Sequence, residues 1–115
     1  MIISEELDKS LQRAYDQAKS RHHEFITLEH ILLEFLQDPV CRDILLGCGV
    51  NLDQLKDWLE DFLDNDMPKV DDEYSPEPQY SLGSQFVLRI AAMHVQSAGK
   101  EELTSGNVLI AMFRE

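Results

Sequence analysis

The stretch at residues 11–36, "LQRAYDQAKSRHHEFITLEHILLEFL", decides the fold because a related stretch follows 77 residues later. The second copy, at 88–113, reads "LRIAAMHVQSAGKEELTSGNVLIAMF" and aligns with the first without a gap. The identical pairs are Leu11/Leu88, Ala14/Ala91, Ser20/Ser97, Glu24/Glu101, Thr27/Thr104 and Leu32/Leu109. Each copy reads as a helix, a polar turn, a threonine cap and a second helix. Such a repeat predicts two similar helical units related by a pseudo-twofold axis.

Helical patterns extend through most of the chain. Apolar residues recur at helical spacing after four candidate N-caps, which are Ser4, Thr27, Asp38 and Asn51. Further helices are expected at about 82–96 and 104–113. Since no run of alternating β-branched residues competes with these assignments, the sequence predicts an all-α fold built as a pseudo-twofold repeat of helical units.

The length of 115 residues indicates one domain, 1–115. We predict a first repeat at 4–63 and an exposed, mobile linker at 64–80, where acids and prolines interrupt every helical pattern. The second repeat, 81–115, stops after its second helix, whereas the first continues into two more. We therefore expect that the second repeat is truncated.

The charge of the chain points to a protein partner. The sequence has 22 acidic and 10 basic residues, a net charge of -12. Such a field disfavours nucleic acids and anionic membranes, and it attracts a basic or amphipathic protein. The charged N-terminus does not resemble a signal peptide, and no apolar run has the length of a membrane span. We interpret Cys41 and Cys48 as small buried hydrophobes, and we expect a cytoplasmic protein.

The segment "HHEFITLEH" at 22–30 is the part of the chain that most resembles a metal site. The H-E-x-x-H motif would need histidine where Thr27 stands, and its inverted form would need histidine where Ile26 stands. We therefore predict scaffolding, with Thr27 as a helix cap, two histidines in the turn before it and the third inside the helix. Incidental metal binding by His22 or His23 stays open.

Catalytic patterns are missing from the sequence. It contains no phosphate-binding loop and no nucleophile elbow, and neither cysteine has a polar context. We predict a non-catalytic chain without a dedicated metal site. The enzyme alternative is a small metal hydrolase that uses His22, His23 and His30, and it would require stoichiometric zinc in the purified protein.

Three blocks, "RHHEFITLEHILLEFLQDP", "VNLDQLKDWLEDFL" and "HVQSAGKEELTSGNVLIAMF", resemble the N-terminal (Clp N) domain of ClpA-like AAA+ unfoldases, the ATPase subunits that partner the ClpP protease. The resemblance covers nearly the whole chain and implies a docking module for the ClpS adaptor and for protein substrates. It also implies two further helices after this stretch. ATP and Mg chemistry would lie in separate ATPase modules, as would ring assembly, so we expect no cofactor here. We expect a monomer, or a weak dimer through surface that the truncation exposes.

The same resemblance implies an adaptor surface that includes Glu24, Glu29 and a hydroxyl residue near Ser81. Each residue also has a structural explanation: Glu24 as a solvated turn residue, Glu29 as a favourable charge at a helix N-terminus, and Ser81 as a helix cap. An apolar docking surface that involves Phe25 or Tyr80 stays open. The alternative function is direct binding of unfolded or degron-bearing chains in an apolar groove between the repeats.

Overall fold

The structure, a computed structural model, describes residues 1–71 and 77–114. Within these residues the chain forms helices joined by turns, together with very short strands. The helices are α1 (Glu5–Ser20), α2 (Leu28–Phe35), α3 (Pro39–Gly47), α4 (Leu52–Asp61), α5 (Leu82–Ser97) and α6 (Ser105–Arg114). The strands are β1 (Ile2–Ile3), β2 (Phe25–Ile26), β3 (Gln79–Tyr80) and β4 (Glu102–Leu103). The mostly helical architecture confirms the predicted fold class.

The predicted N-caps begin the helices as the sequence indicates. The side chains of Ser4, Asp38 and Asn51 each accept a hydrogen bond from a backbone N–H in the first turn of the following helix. Pro39 occupies the first position of α3, where its missing N–H costs nothing. Local capping chemistry thus sets the start of α1, α3 and α4.

The short strands join the two halves of the chain. Strand β1 pairs in parallel with β4, and β2 pairs in parallel with β3. Adding 77 to the residue numbers converts β1 into β3 and β2 into β4. Each two-stranded ladder therefore takes one strand from each repeat, as a twofold relation requires. The sequence did not reveal these strands, because two residues are too few to show alternation.

The helices enclose one shared core. Its fully buried members come from both repeats and include Leu7, Ile31, Phe35, Leu59, Leu63, Val87, Val108 and Leu109. Helix α3 packs on α6, and Gly106 lies at this contact. A Cβ atom at Gly106 would lie 3.4 Å from Val40 Cγ1 and 3.6 Å from Ile44 Cδ1. Among the described helices, none has the length and apolar character that a membrane crossing requires.

The two cysteines differ in environment. Cys41 is buried in α3, and this burial raises the pKa of its thiol to about 12. Cys48, in contrast, is exposed at the end of α3. The prediction that both cysteines are buried is therefore wrong for Cys48, because the helix ends there and turns the residue toward solvent.

The predicted linker at 64–80 differs from the structure at both ends. A wide helical turn, Phe62–Asp66, extends α4, and Gln79–Tyr80 form β3. Two contacts hold the intervening chain against the turn after α1. The Val70 N–H donates to the His22 carbonyl oxygen at 2.8 Å, and Arg21 Nε donates to Asp64 Oδ1 at 2.8 Å. The central part of the predicted linker, residues 72–76, lies outside the described residues.

Candidate functional site

The β2–β3 ladder brings two of the predicted site residues to one edge of the molecule. The Gln79 N–H donates to the Glu24 carbonyl oxygen at 3.1 Å, and the Ser81 N–H donates to the Ile26 carbonyl oxygen at 3.0 Å. The side chain of Glu24 is exposed, and Ser81 is half-buried. Residues that are far apart in sequence thus become neighbours through a strand pair that only the tertiary structure creates.

Ser81 has a structural role at this edge. Its Oγ accepts a hydrogen bond from the Ser84 N–H at 3.1 Å, which caps α5. The Ser84 hydroxyl in turn donates to the Ile26 carbonyl oxygen at 2.9 Å. The first turn of α5 is therefore bonded to β2, and the predicted cap function of Ser81 is confirmed.

Glu29 lies in the first turn of α2, next to the same edge. It is half-buried. Its neighbour Leu28 lies close to Gly83 in α5: a Cβ atom built on Gly83 would be 3.9 Å from Leu28 Cδ1. The first turns of α2 and α5 are therefore close to each other at this point. We call the surface formed by Glu24, Phe25, Glu29, Ser81, Leu82 and Phe86 the α2/α5 surface.

Exposed apolar side chains accompany the acidic residues of the α2/α5 surface. Phe25 and Phe86 are exposed, and Leu82 is 84% exposed. Tyr80 is only half-buried, and its burial raises the pKa of the phenol. Sequence reasoning missed Leu82 and Phe86. Neither belongs to the buried stripe of α5, which consists of Ser84, Val87, Ala91 and Val95.

The histidines hold the turn that carries Glu24. The Thr27 N–H donates to His30 Nδ1 at 2.9 Å, and His30 Nε2 lies 2.8 Å from His23 Nδ1. Since Nδ1 of His30 accepts a hydrogen bond, its proton lies on Nε2, which then donates to His23. Burial, the largest cause, lowers the pKa of His30 to about 4 and lowers the pKa of His23 as well. Both rings are therefore neutral near pH 7.

This arrangement bears on metal binding by the histidines. His23 is 2% exposed and His30 is completely buried, so the burial of both rings disfavours incidental metal binding at His23. Incidental binding at His22, which is exposed, stays a prediction. In residues 1–71 and 77–114, no three His, Cys, Asp or Glu side chains are grouped so that they could hold a metal ion. The geometry gives no support to the metal hydrolase alternative, because His30 serves as a cap and its partner is buried with it.

An apolar groove is lined in part by Glu29. It has a volume of about 210 Å³ and lies between α2, α4 and α6. Its lining consists of Leu28, Glu29, Leu32, Trp58, Leu59 and Met112. The Trp58 ring is stacked on Phe62, with ring centroids 5.5 Å apart. We call this feature the α2/α4/α6 groove.

Comparison with known proteins shows what the chain is similar to. The family described as "Clp repeat (R) N-terminal domain" matches residues 2–115. A ClpA homolog protein of Fuscovulum blasticum is 38% identical over 114 residues, which are 98% of this chain and 14% of the relative. The chain thus spans about one-seventh of that relative's length.

Solved structures agree with the fold. The Hsp104 N-terminal domain from Candida albicans matches with a TM-score of 0.84 at 16% identity, over 96% of this chain and 73% of that one. A complex of the ClpV N-domain with a VipB peptide matches with a TM-score of 0.76 at 24% identity, over 95% of this chain and 66% of that one. At these identities the likeness concerns the fold alone.

Proposed function

This chain belongs to the Clp repeat N-terminal domain family, and on that premise we propose that it is the adaptor- and substrate-docking domain of a ClpA-like ATP-dependent unfoldase. Its partners are a ClpS-like adaptor and protein substrates, and its role is non-catalytic. The chemistry of ATP and Mg, and the contact with ClpP, belong to parts of the full-length subunit outside this chain. We place the protein in the cytoplasm.

The observation that carries this proposal is the composition of the α2/α5 surface. Exposed Phe25 and Leu82 supply apolar area, and Glu24 and Glu29 supply negative charge at its border. Protein interfaces combine an apolar centre with a polar rim in this manner, and a few residues carry most of the binding energy. A partner with a small apolar patch flanked by basic residues would fit this surface.

The surface is also preorganised. The backbone of Glu24 and Ile26 is held by β3, and the first turn of α5 is bonded to β2 through Ser84. The turn before β2 is fixed from inside by the pair of buried histidines, His23 and His30. A rigid surface loses less conformational entropy when a partner binds, so a small contact area can give useful affinity.

The long-range field favours the same class of partner. With a net charge of -12, the chain attracts a basic protein surface and accelerates its approach at low ionic strength. Binding that depends on Glu24 and Glu29 should therefore weaken as salt is raised, and the association rate should fall more than the dissociation rate rises.

Calorimetric titration with ClpS at low and moderate salt tests the proposal. We expect saturable binding that Glu29→Lys abolishes and that Glu24→Ala weakens by about tenfold, the effect of losing one charge-assisted hydrogen bond. The repeat supplies a matched control. Glu101 is the counterpart of Glu24 in the second turn, and Glu101→Ala removes the same charge from the opposite ladder.

The outcomes separate clearly. Equal weakening by Glu24→Ala and Glu101→Ala would attribute the effect to net charge and would contradict docking at the α2/α5 surface. Absence of binding by a chain whose circular dichroism and thermal unfolding show that it is folded would contradict adaptor docking by this domain.

Direct binding of unfolded or degron-bearing chains is the second candidate function. The α2/α4/α6 groove favours it, because Leu28, Leu32 and Trp58 offer apolar side chains to an extended or helical segment. The ClpV N-domain, which has the same fold, forms a complex with a VipB peptide. This function predicts that an unfolded model substrate binds without adaptor, and that Glu24→Ala leaves its affinity unchanged whereas Trp58→Ala lowers it.

A further inference from the structure

Two buried histidines connect both ends of the segment that carries Glu24 and Phe25. His23 precedes this segment, and Thr27 follows it. The Thr27 N–H donates to His30 Nδ1 at 2.9 Å, and His30 Nε2 lies 2.8 Å from His23 Nδ1. The two rings therefore join the start of the segment to its end through the interior of the protein. We call the pair of His23 and His30 the histidine clamp.

The histidine clamp cannot take up a proton without losing a hydrogen bond. Nδ1 of His30 accepts from the Thr27 N–H, and Nδ1 of His23 accepts from the proton on His30 Nε2, so the lone pairs of both rings are used. A proton added to His23 Nδ1 would point at the His30 N–H. A proton added to His30 Nδ1 could be accepted by Thr27 Oγ1, which lies 2.9 Å away, but the Thr27 N–H would then lose its acceptor. Protonation thus breaks one link of the clamp.

The surroundings of the clamp also oppose a positive charge. Burial, the largest cause, lowers the pKa of both histidines, and the guanidinium of Arg21 lowers it further. The other charged side chains that face the pair are Lys69, which adds to this effect, and Asp64, which opposes it. Arg21 Nε already donates to Asp64 Oδ1, so this carboxylate is engaged. A protonated clamp is therefore more stable in an open turn, where water reaches the imidazole.

The second repeat builds the same turn without a clamp. The counterparts of His23 and His30 are Lys100, which is exposed, and Asn107. Asn107 Oδ1 accepts from the Thr104 N–H at 2.9 Å, so this cap is complete without a second ring, and an amide oxygen takes up no proton in mild acid. The fold therefore does not require paired histidines. They occur in the turn that carries side chains of the α2/α5 surface.

We propose that His23 and His30 are positioning residues for docking at the α2/α5 surface: the clamp holds Glu24 and Phe25 in place for the adaptor, and proton uptake by the clamp frees this segment while the helices stay folded. This role rests on the proposed function, in which Glu24 and Phe25 meet an adaptor. It makes the affinity for the adaptor depend on two side chains that lie beneath the surface and do not reach the partner.

Amide hydrogen exchange tests the clamp, and the two strand ladders supply an internal control. The Gln79 and Ser81 N–H groups donate to carbonyl oxygens of the clamped segment, and the Ile2 and Ser4 N–H groups have the equivalent positions in the β1–β4 ladder. The pKa of His30 is about 4 in the closed turn, against an ordinary value of 6.5. We therefore expect the protection factors of Gln79 and Ser81 to fall about tenfold between about pH 7.5 and about pH 5.5. Those of Ile2 and Ser4 should stay constant.

Variants separate the positioning role from a merely structural one. His30→Asn copies the cap of the second turn and removes the link to His23, so the protection of Gln79 and Ser81 should become independent of pH. The same variant should bind ClpS about fivefold more weakly at about pH 7.5, because the freed segment must be ordered on binding. His23→Ala keeps the cap, breaks only the link and should weaken binding to a similar extent. Asn107→His alters the equivalent cap of the second turn and should leave the affinity unchanged.

The possible results distinguish the clamp from the docking function. Protection factors that change alike in both ladders, or in neither, would overturn the clamp, as would a pH dependence retained in His30→Asn. Unchanged affinity of His30→Asn and His23→Ala for ClpS would overturn the positioning role. Absence of ClpS binding by the parent protein would overturn the proposed function and the positioning role together, whereas the exchange profiles alone decide whether a proton opens the clamp.

Discussion

The turn at 21–27 and its counterpart at 98–104 have the same backbone path but different side chains. His22 has a φ of 59°, and the equivalent Gly99 has a φ of 74°. His30 accepts a hydrogen bond from the Thr27 N–H, and Asn107 accepts the corresponding bond from the Thr104 N–H, both at 2.9 Å. One cap geometry is thus satisfied by an imidazole in the first unit and by an amide in the second.

The two units differ more in what covers the second helix of each pair. In the second unit Gly106 lies against α3, and Leu109 is fully buried. Their counterparts in the first unit, Glu29 and Leu32, are half-buried and border the α2/α4/α6 groove. The two units thus share one backbone path. The helix α3, which packs on the second unit at Gly106, leaves the equivalent positions of the first unit free to contact a partner.

Substitution of Gly106, which lies against α3, should change the free energy of unfolding more than the other variants below. In Gly106→Glu, the Cβ atom would already touch Val40 at 3.4 Å, so the longer charged side chain at this buried position must displace Val40 or Ile44. We expect the free energy of unfolding to fall by about 3 kcal/mol or more. Urea unfolding followed by circular dichroism measures it. The reciprocal Glu29→Gly should cost only about 1 kcal/mol, the difference in helix propensity. Similar losses of unfolding free energy in the two variants would contradict the conclusion that α3 packs over Gly106 whereas Glu29 stays partly exposed.

The capping histidine should produce a pH dependence that an asparagine cap lacks. The pKa of His30 is about 4 in the folded state and 6.5 in the unfolded chain, so the unfolded chain binds the proton first as pH falls. Stability is full above about pH 6.5 and decreases below it, by about 2 kcal/mol between about pH 7.5 and about pH 5.

The variant His30→Asn copies the second unit and should flatten this dependence. Urea midpoints at a series of pH values measure the slopes of the parent protein and the variant. Parallel slopes would show that protonation of His30 does not limit stability in acid.

Substitution of His22 or Gly99, the residues with positive φ in the two turns, should change the free energy of unfolding least. Glycine adopts positive φ without steric cost, whereas other residues lose roughly 1 kcal/mol there. We expect His22→Gly to raise the free energy of unfolding by up to about 1 kcal/mol and Gly99→His to lower it by a similar amount. Thermal unfolding of both variants checks the pair. Destabilisation by His22→Gly would mean that contacts of the imidazole outweigh the strain.

Local patterns predicted much of the fold. The caps at Ser4, Asp38 and Asn51 and the internal repeat could be read directly, because capping and helical periodicity act between residues a few positions apart. The exposure of Cys48 and the ends of the predicted linker could not, because they depend on where the helix terminates and on contacts such as that between Val70 and His22. The incomplete second repeat stays a prediction.

The candidate site divides in the same way. Glu24, Glu29 and Ser81 were identified from the resemblance, but the sequence could not show that β2 and β3 bring the first and last of them to one edge. Leu82 and Phe86 were missed because exposure depends on what packs against a helix, which periodicity alone does not specify.

The sequence by itself determined the helical class and the helix starts, since both follow from interactions within about one or two turns of chain. It also showed the repeat, because residues 11–36 align with 88–113 without a gap. Only the tertiary structure decided the strand exchange between repeats, the cover of Gly106 by α3 and the burial of His23, His30 and Glu34. These features arise from contacts between segments far apart in the chain, and their free energies depend on packing and solvent exclusion that no local pattern records.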